Sequence, residues 1–331
     1  MAAKVALIGG SGMSVYHADG ILDAEGLELA GICDVLPAAR QKAEDKYGVP
    51  TWDTIEACLA SPDVDVVVVI LPNDLHLPVT LQAIAAGKHV VVEKPMGMNY
   101  GECEQMIAAA KAAGKLLTVH QNRRWDNDFL AIKQAVDAGR VGQVLEVEVS
   151  NEGHWIPGGW RHNKAQAGGV LYDWGAHQMD QMLRLRPEVQ PVRVFAEIYT
   201  DPAAGTDIEL AGRVFIHMDD GSRLVYNFSH VSHHSPRPRW YVSGLEGALE
   251  LKALGEDVTL YKVVHKGMEV CTFPSMVIDA EPQNWHNFYF NLSAALAGKE
   301  ELAIQPEESA LVVKIIDAAL QSAKEGKVVN L

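Results

Sequence analysis

The sequence lacks the features that mark secreted, membrane-spanning and cysteine-rich metal proteins. Its 331 residues include only four cysteines, and none has the paired spacing of a metal site or the pattern of a disulfide framework. No apolar run is long enough to span a bilayer, and the first apolar stretch ends in glycines after a few residues, unlike a signal peptide. We therefore predict reduced thiols, a cytoplasmic location, no membrane partner and no metal.

Positive charge is also scarce. The chain has 28 Lys and Arg against 43 Asp and Glu, a formal net charge of −15 at pH 7. Such a surface would repel nucleic acids and acidic membranes, so a small-molecule ligand is the better expectation. The hydrophobic content of 48% and the charged content of 21% are those of an ordinary globular protein, and the length predicts two domains.

The first part of the chain alternates short apolar runs with amphipathic helical stretches. The runs cover residues 5–8, 29–33, 64–71, 90–92 and 116–119. Continuous apolar runs of this length are typical of parallel strands that are buried on both faces, with helices between them. We predict a doubly wound α/β domain with a parallel sheet over residues 1–122.

After residue 122 the pattern changes to longer, half-buried strands. Strands are predicted at residues 144–150, 192–199, 211–217, 222–230, 241–243, 248–251 and 258–263, and helices at 127–138, 170–185, 285–297 and 307–323. Consecutive strands without intervening helices require antiparallel pairing. Residues 123–331 are therefore predicted to form an α+β domain with a large, mostly antiparallel open sheet flanked by helices.

A glycine-rich turn after the first strand predicts a nucleotide site. Gly9, Gly10 and Gly12 follow the first apolar run, and the acid Asp34 ends the next one. Glycines let the backbone approach a pyrophosphate at a helix N-terminus, and an acid about twenty residues further on accepts hydrogen bonds from a ribose. Val15 stands at the third glycine position of the usual motif, but the strand, helix and acid around it still predict a Rossmann dinucleotide-binding domain.

Asp34 also favours NAD over NADP. Its carboxylate would bind a free 2′-hydroxyl and repel a 2′-phosphate, and neither Val35 nor Leu36 offers a cation to offset the repulsion. Arg40 is the nearest cation, and we interpret it as a solvated surface charge on the following helix.

Two polar segments follow later strands, at the sheet edge where open α/β sheets bind ligands. They are residues 71–76 and the tripeptide Glu93-Lys94-Pro95. A Lys–Pro bond can be cis and would then aim Lys94 into the crevice; the alternative is a surface lysine in a loop. The predicted cofactor contacts are Gly9, Gly10, Ser11, Gly12, Met13, Asp34, Leu71, Pro72, Asn73, His76, Glu93 and Lys94.

A third segment, residues 168–177, places Asp173 and His177 four positions apart. On a helix these side chains share one face, where a carboxylate and an imidazole can meet the same substrate hydroxyl. Histidine titrates nearest neutral pH, and a carboxylate can orient it and tune its proton affinity, which suits acid–base catalysis. For this spacing alone, an exposed surface pair is the alternative.

Four motifs, taken in order, carry a resemblance across nearly the whole chain. They are Leu71-Pro72-Asn73 with His76, Glu93-Lys94-Pro95, Asn122-Arg123-Arg124-Trp125, and Gly169 with Asp173, Gly175 and His177. As a set they resemble the Gfo/Idh/MocA family of NAD(P)-dependent oxidoreductases. Residues 120–130 look particularly like its scyllo-inositol dehydrogenase branch, whose members can prefer NADP.

The resemblance implies catalytic roles for three residues. The family's catalytic lysine falls on Lys94, and its acid–base pair falls on Asp173 and His177. His177 would take the proton of a sugar or cyclitol hydroxyl as the carbon passes a hydride to the nicotinamide. Lys94 would polarise the oxygen and Asp173 would orient the site, while the cofactor NAD supplies the redox chemistry.

Other polar residues are candidates for the substrate pocket. An aromatic and polar loop precedes the Asp173 segment, where a sugar ring could stack and hydrogen-bond. The predicted substrate contacts are Lys94, Arg124, His154, Trp160, Arg161, Asp173 and His177. We interpret His230, His233 and His234 as exposed loop residues and not as a metal site, because no cysteine or facing carboxylate stands at ligand spacing.

Three functions remain open at this point. An NAD-dependent sugar or inositol-type dehydrogenase is favoured over a glycoside lyase or hydrolase that oxidises its substrate transiently. A non-catalytic NAD-binding sensor is disfavoured, since a sensor needs no matched base and lysine. The family usually forms dimers or tetramers, and the apolar alternation of Val194, Ala196 and Ile198 predicts a homodimer or homotetramer through the C-terminal sheet.

Overall fold

The computed structural model describes residues 2–10, 12–264, 267–272 and 284–331. The chain divides into two compact units, Met1–Asn122 with Trp285–Val313, and Arg123–Asn284 with Lys314–Leu331. The units differ from the predicted domains in one respect, because residues 285–313 pack in the first unit. Within the described residues, no helix combines the length and the apolar character needed to cross a membrane.

The first unit contains a six-stranded parallel sheet. Its strands are β1 (Ala3–Ile8), β2 (Leu27–Cys33), β3 (Thr51–Trp52), β4 (Val66–Val69), β5 (His89–Val92) and β6 (Leu117–Val119), in the spatial order β3-β2-β1-β4-β5-β6. This order confirms the doubly wound prediction. The two-residue β3 was not predicted, since two residues are too short to carry a hydrophobic pattern.

Nine helices are formed by the residues that the structure describes. They are α1 (Ser14–Asp23), α2 (Pro37–Tyr47), α3 (Ile55–Ala60), α4 (His76–Ala85), α5 (Tyr100–Ala113), α6 (Asn127–Asp137), α7 (Ala176–Leu185), α8 (Asn287–Leu296) and α9 (Pro306–Glu325). The start of α5 shows the local cause: the Asn99 side chain accepts the Glu102 amide, and Glu102 puts negative charge in the first turn. Gly114 ends this helix in the left-handed conformation.

The second unit contains a nine-stranded sheet, counted over the described residues. Its strands are β7 (Val144–Glu152), β8 (Pro191–Tyr199), β9 (Ala211–Met218), β10 (Arg223–Ser229), β11 (Trp240–Gly244), β12 (Ala248–Leu251), β13 (Thr259–Val264), β14 (Gly267–Thr272) and β15 (Val329–Asn330). The spatial order is β14-β13-β12-β11-β7-β10-β9-β8-β15. Every neighbouring pair is antiparallel except β7 and β10, so the predicted mostly antiparallel sheet is confirmed.

One face of this second sheet is already covered within the chain. Val194 and Ala196 are 0% and 2% exposed, and the Ala196 amide donates to Ser322 Oγ of α9 at 3.0 Å. Since the Val194 and Ala196 side chains are already buried within the chain, it was wrong to choose these residues, with the half-buried Ile198, as the surface that a second subunit buries. The assembly itself stays a prediction.

Candidate active site

The glycine turn after β1 is shaped by close backbone contacts. Gly9 has a φ of +114°, and a Cβ atom there would lie 2.2 Å from the Ile70 carbonyl oxygen, so no other residue fits. Gly12 also has a positive φ, of +60°, and α1 begins two residues later at Ser14. Ser11 lies outside the described residues. The turn therefore presents backbone at a helix N-terminus, which is the arrangement that suits a pyrophosphate.

Asp34 is joined to this turn. Its Oδ2 accepts the Gly10 amide at 2.7 Å, and its Oδ1 accepts the Leu36 amide at 2.8 Å. A Cβ atom on Gly10 would come within 3.2 Å of the Asp34 Cβ, so the close approach depends on glycine. Each carboxylate oxygen still has a second lone pair, with which it can accept a hydrogen bond from a ribose hydroxyl. The turn and the acid thus fit a dinucleotide.

Arg40 is not the solvated surface charge that we expected. Its Nη1 donates to the Asp34 carbonyl at 2.7 Å and to the Val35 carbonyl at 3.2 Å, and the residue is half-buried. Arg40 is six residues after Asp34 in sequence. Its side chain reaches the end of β2 because α2 starts at Pro37 and Arg40 lies in its first turn. A cation therefore stands at the ribose end of the nucleotide site.

The loops after β4 and β5 are tied together by a buried histidine. His76 is 0% exposed, with Nδ1 2.8 Å from the Pro95 carbonyl oxygen and Nε2 3.0 Å from that of Leu71. Burial lowers its pKa, and the two carbonyls act in the opposite direction. The Lys94–Pro95 peptide bond is cis. His76, predicted to contact the cofactor, has its ring inside the unit and instead supports the backbone of both loops.

Glu93 is the centre of a buried hydrogen-bond network. Its Oε1 lies 2.8 Å from His17 Nε2 and 2.7 Å from His120 Nδ1, and its Oε2 accepts the Lys94 amide at 3.0 Å. His17 comes from α1, whereas Glu93 and His120 follow β5 and β6, so the carboxylate joins three segments at the carboxyl edge of the sheet. The predicted cofactor ligand Glu93 thus fixes the backbone of the residue next to it, Lys94.

The network continues to α8, which is far from the other members in sequence. His17 Nδ1 hydrogen-bonds to the hydroxyl of Tyr289 in α8. Burial, and then His120, lower the pKa of His17 to about 4, while burial, and then Glu93, raise the pKa of Tyr289 well above its ordinary value. His17 is therefore neutral: its Nε2 donates to Glu93 and its Nδ1 accepts from Tyr289. The imidazole contacts hold the pKa of Glu93 well below the ordinary value despite its burial.

Among the described residues, His17, Glu93 and His120 are close enough together to hold a metal ion. Their nitrogen-to-oxygen separations of 2.7 and 2.8 Å are hydrogen-bond distances. Ligand atoms around a tetrahedral metal would stand further apart, at about 3.3 Å. The geometry fits protons between these atoms better than a metal.

In the second unit, Asp173 lies in a π-helical turn and not in an α-helix as predicted. The turn spans Leu171–Gly175, and α7 with His177 follows it directly. The Asp173 amide donates to the Gly169 carbonyl at 3.0 Å, and that of Gly175 donates to the Val170 carbonyl at 2.8 Å. A π turn within a helix recurs at functional sites because it re-aims a side chain.

Two arginines hold this helical segment. Arg124 donates from Nε and Nη2 to Asp180 of α7, at 2.7 and 2.5 Å, and both side chains are buried. The guanidinium of Arg123 stacks on the Trp174 ring, 4.5 Å from its centroid. Arg124, predicted to bind substrate, forms a bidentate ion pair that anchors α7.

The three histidines His230, His233 and His234 differ in their exposure to solvent. His233 and His234 are exposed as expected, but His230 is only 7% exposed and packs edge-on against Trp155. Burial lowers the pKa of His230, and the nearby Asp173 carboxylate opposes that shift. The exposed His154 stacks on His233 with ring centroids 4.6 Å apart. The interpretation of His230 as an exposed loop residue was wrong, because the bridge between His154 and Val231 folds its loop inward.

The predicted pocket loop also reaches the Asp173 segment. The guanidinium of Arg161 lies 4.5 Å from the Trp160 ring centroid, and the Arg161 carbonyl accepts the Gly169 amide at 2.9 Å. A Cβ atom on Gly168 would stand 2.4 Å from the same carbonyl oxygen. The two glycines thus allow the Trp160–Arg161 loop to lie against the start of the turn that carries Asp173.

Two sequence models of one family match successive parts of the chain. Residues 3–121 match the oxidoreductase family with an NAD-binding Rossmann fold, and residues 129–250 match the GFO/IDH/MocA C-terminal domain. The chain belongs to this oxidoreductase family. The resemblance carried by the four motifs is thereby confirmed.

Relatives within the family are similar over most of their length. The Bacillus subtilis protein named scyllo-inositol 2-dehydrogenase (NADP(+)) is 28% identical, over 99% of this chain and 96% of the relative. The Escherichia coli D-glucoside 3-dehydrogenase is 31% identical over 61% of this chain and 60% of its own. The crystal structure of an NAD-binding protein from Listeria innocua is 31% identical, covers 100% of this chain and 97% of its own, and has a TM-score of 0.89.

Several residues of this site were missed by sequence reasoning. His17, His120 and Tyr289 form the Glu93 network, and Tyr226 and the buried Glu209 lie near Asp173 in the second unit. His120 directly follows β6, and His17 lies in the first turn of α1 after the glycine turn, which was a usable signal. Tyr289 is 272 residues from its partner His17, and no local pattern joins them.

Proposed function

We propose that this oxidoreductase is an NAD-dependent dehydrogenase that acts on a CH–OH group of a sugar, a sugar derivative or a cyclitol. The observation that carries the proposal is the placement of Lys94: the ionised Glu93 carboxylate accepts its backbone amide, at the carboxyl edge of the sheet that also bears the nucleotide turn. A cation in that position suits an oxygen that must be polarised as hydride leaves its carbon. The names of the inositol and glucoside relatives support the substrate class.

The proposal gives each residue one task. Backbone amides of Gly9, Gly10 and Gly12 and the N-terminus of α1 would bind the pyrophosphate, and Asp34 would accept hydrogen bonds from the ribose. Bound nicotinamide supplies the hydride acceptor. His177 takes the hydroxyl proton, Lys94 stabilises the negative charge that develops on that oxygen, and Asp173 orients the base, so a carbonyl forms as the C–H and O–H bonds break.

The choice of NAD over NADP rests on Asp34. A 2′-phosphate would meet its carboxylate, which is fixed by the Gly10 and Leu36 amides and cannot turn away. Arg40 weakens the argument only in part, since its Nη1 donors point to backbone carbonyls. We expect the wild-type protein to bind NAD more tightly than NADP. The Asp34→Ala variant should have a smaller ratio of the Kd for NADP to the Kd for NAD. Equal affinities in both proteins would remove Asp34 as the selector.

A substrate panel tests the function. The protein is incubated with NAD or NADP and with inositols, aldoses, anhydrosugars and glycosides, while reduced nicotinamide is followed by absorbance and products by mass spectrometry. Net NADH with a ketone or lactone product is the expected result. Product without net NADH would replace the proposal by transient oxidation, and tight NAD binding without any product across the panel would favour a sensor.

Two substitutions test the catalytic assignments. Lys94→Ala and His177→Ala should each lower kcat by about 10²- to 10⁴-fold, because each removes a group that acts in the transition state. Arg140→Ala, at an exposed position of the second unit, is the matched control and should leave kcat unchanged. Turnover near the wild-type value in either active-site variant would remove that residue from the mechanism.

We also propose a homodimer or homotetramer through the outer face of the second sheet. On that face Phe195 and Phe215 remain half-exposed, with ring centroids 6.3 Å apart. A second subunit would remove these rings from water. Light scattering should give two or four subunits, and Phe215→Glu should shift the protein to monomers.

The last part of the proposal is a cytoplasmic location. Cys33, Cys58 and Cys103 are free thiols and are buried, which suits a reducing compartment. Fractionation of cells that express the protein should recover it with cytoplasmic markers.

A further inference from the structure

Glu209 is a buried carboxylate that the mechanism above does not use. It precedes β9, is only 5% exposed, and its Oε1 accepts the Leu171 amide at 2.7 Å. The amides of Val170 and of Glu209 itself also hydrogen-bond to the carboxylate. The side chain therefore caps the start of the π turn from a different element of the unit, and it satisfies amides that a helix start leaves without partners.

The backbone next to this carboxylate is built around it. Gly169 has a φ of +113°, and a Cβ atom there would lie 2.5 Å from both carboxylate oxygens. No residue with a side chain could stand at this position while Glu209 remains in place. The glycine therefore makes room for the carboxylate at the start of the turn.

The contacts of Glu209 lead directly to Asp173. Val170, whose amide binds Glu209, provides the carbonyl that accepts the Gly175 amide at 2.8 Å. Gly169, which packs against the carboxylate, provides the carbonyl that accepts the Asp173 amide at 3.0 Å. A shift of the carboxylate would consequently move the hydrogen bond of the Asp173 amide and the π-type hydrogen bond between Gly175 and Val170.

The surroundings of Glu209 are poor in compensating charge. Burial is the largest influence on its pKa and raises it to about 6, while the amides and Lys164 act in the opposite direction. Burial, then Asp173, and to a smaller extent Glu209 raise the pKa of the Tyr226 phenol on β10. The titratable or charged groups near this carboxylate are thus Lys164 and Tyr226, and Asp173 also acts on Tyr226. Its charge state changes in a pH range that an assay can cover.

We propose that Glu209 is a positioning residue for Asp173, acting through the amides of Val170 and Leu171, and that only its ionised form holds the π turn in the active arrangement. The ionised carboxylate offers two acceptor oxygens to three amides. Protonation places a hydrogen on one oxygen, which removes acceptor capacity and weakens the remaining bonds. The inference rests on the proposed function in so far as Asp173 orients the reacting group.

The test compares Glu209→Gln and Glu209→Ala with Glu256→Gln, a control at an exposed glutamate of the same unit. Glu209→Gln keeps the shape and one acceptor oxygen but has no charge. We expect it to lower kcat by about 10- to 100-fold, as a misplaced catalytic group does, with the Kd for NAD within about twofold of wild type. In the wild type, protonation of Glu209 should steepen the fall of kcat on the acid side of pH 6, and the Glu209→Gln profile should keep only the shallower fall that comes from protonation of the base His177.

Hydrogen exchange of the intact protein supplies a readout that needs no substrate. Amides of residues 170–175 should exchange faster in Glu209→Gln than in wild type at pH 8, and the difference should shrink at pH 5, where the wild-type carboxyl is protonated. Unchanged exchange in this segment for Glu209→Gln would overturn the inference, even if Glu209→Ala fails to fold. If no polyol is oxidised by the wild type, the proposed function fails, but the exchange result still decides the role of Glu209.

Discussion

Each unit contains a buried glutamate next to a predicted catalytic residue, and the two glutamates have opposite pKa shifts. Glu93 precedes Lys94 and has its pKa held well below the ordinary value by His120 and His17. Glu209 caps the turn of Asp173 and has its pKa raised to about 6 by burial. In the first unit, the imidazole groups lower the pKa of Glu93 by more than burial raises it. In the second unit, the backbone amides lower the pKa of Glu209 by less than burial raises it. Burial alone therefore does not decide the charge of a carboxylate.

The difference has a consequence for each site. Glu93 keeps its charge across the whole neutral and mildly acidic range, so the backbone of Lys94 is fixed by a constant interaction. Glu209 gains and loses a proton within a range that a cell or an assay can reach. The contact between Glu93 and the Lys94 amide is thus expected to be unaffected by pH near neutrality, whereas the contact between Glu209 and the turn of Asp173 should respond to it.

The largest effect is expected from removing the first carboxylate. Glu93→Ala leaves two imidazoles and the Lys94 amide without their acceptor inside the unit, which should cost about 3–5 kcal/mol of unfolding free energy. Chemical denaturation measures the loss, with Glu28→Ala at an exposed position of β2 as the control. A loss no larger than that of the control would mean that the Glu93 network contributes nothing to the fold.

The next effect concerns pH in the first unit. The folded pKa of His17 is about 4, below the 6.5 of an ordinary histidine, so the unfolded chain takes up this proton first as pH falls. Unfolding free energy should therefore fall by about 3 kcal/mol between pH 6.5 and pH 4. Hydrogen exchange of the β1 amides measures this change in unfolding free energy. The His17→Asn variant should show a weaker dependence of the unfolding free energy on pH. An equally steep slope in that variant would contradict the assignment.

The second unit should show the opposite sign. The folded pKa of Glu209 is about 6 and the ordinary value is 4.5, so the folded chain takes up this proton first. As pH falls from above 6 to below 4.5, this group should raise the unfolding free energy by about 2 kcal/mol in total, while the turn at residues 170–175 loosens locally. Exchange of β9 amides measures the gain. If the unfolding free energy falls with decreasing pH at the same slope in the wild type and in Glu209→Gln, the raised pKa of Glu209 is excluded.

The smallest effect is expected at the edge of the Glu93 network. Tyr289→Phe keeps the ring but removes the hydroxyl that donates to His17, and leaving that nitrogen unsatisfied should cost about 1–3 kcal/mol. The thermal midpoint of the variant measures the change. Tyr261→Phe removes a half-buried hydroxyl in the second unit and provides the control. Identical midpoints in the two variants would place the Tyr289 hydroxyl outside the network.

The sequence predicted most strands of both sheets because their apolar runs are local, but it missed β3, β14 and β15. Residues 5–8 and 90–92 are continuous apolar runs, and they form buried parallel strands. Asp34 was placed correctly for the same reason, since a strand end and a fixed spacing define its position. The π turn could not be predicted, because its five residues have the same hydrophobic pattern as a helix start.

The parts of the site that depend on distant contacts were missed. Arg40 and His230 both have local sequences typical of exposed residues, and each is drawn inward by contacts that no local pattern encodes. Glu209 is 38 residues away in sequence from Leu171, whose amide donates to its carboxylate. The local sequence around Glu209 is typical of an ordinary polar loop. Only the fold brings such groups to the segments that they support.

Deuterium tracing tests the central claim most directly. The best substrate of the panel is prepared with deuterium on its carbinol carbons and incubated with NAD and the wild-type protein, and the nicotinamide product is analysed by mass spectrometry. The account predicts NADH that is heavier by one deuterium, with the Lys94→Ala and His177→Ala variants forming it far more slowly. A transformed product that retains all of its deuterium, without labelled NADH, would contradict net hydride transfer.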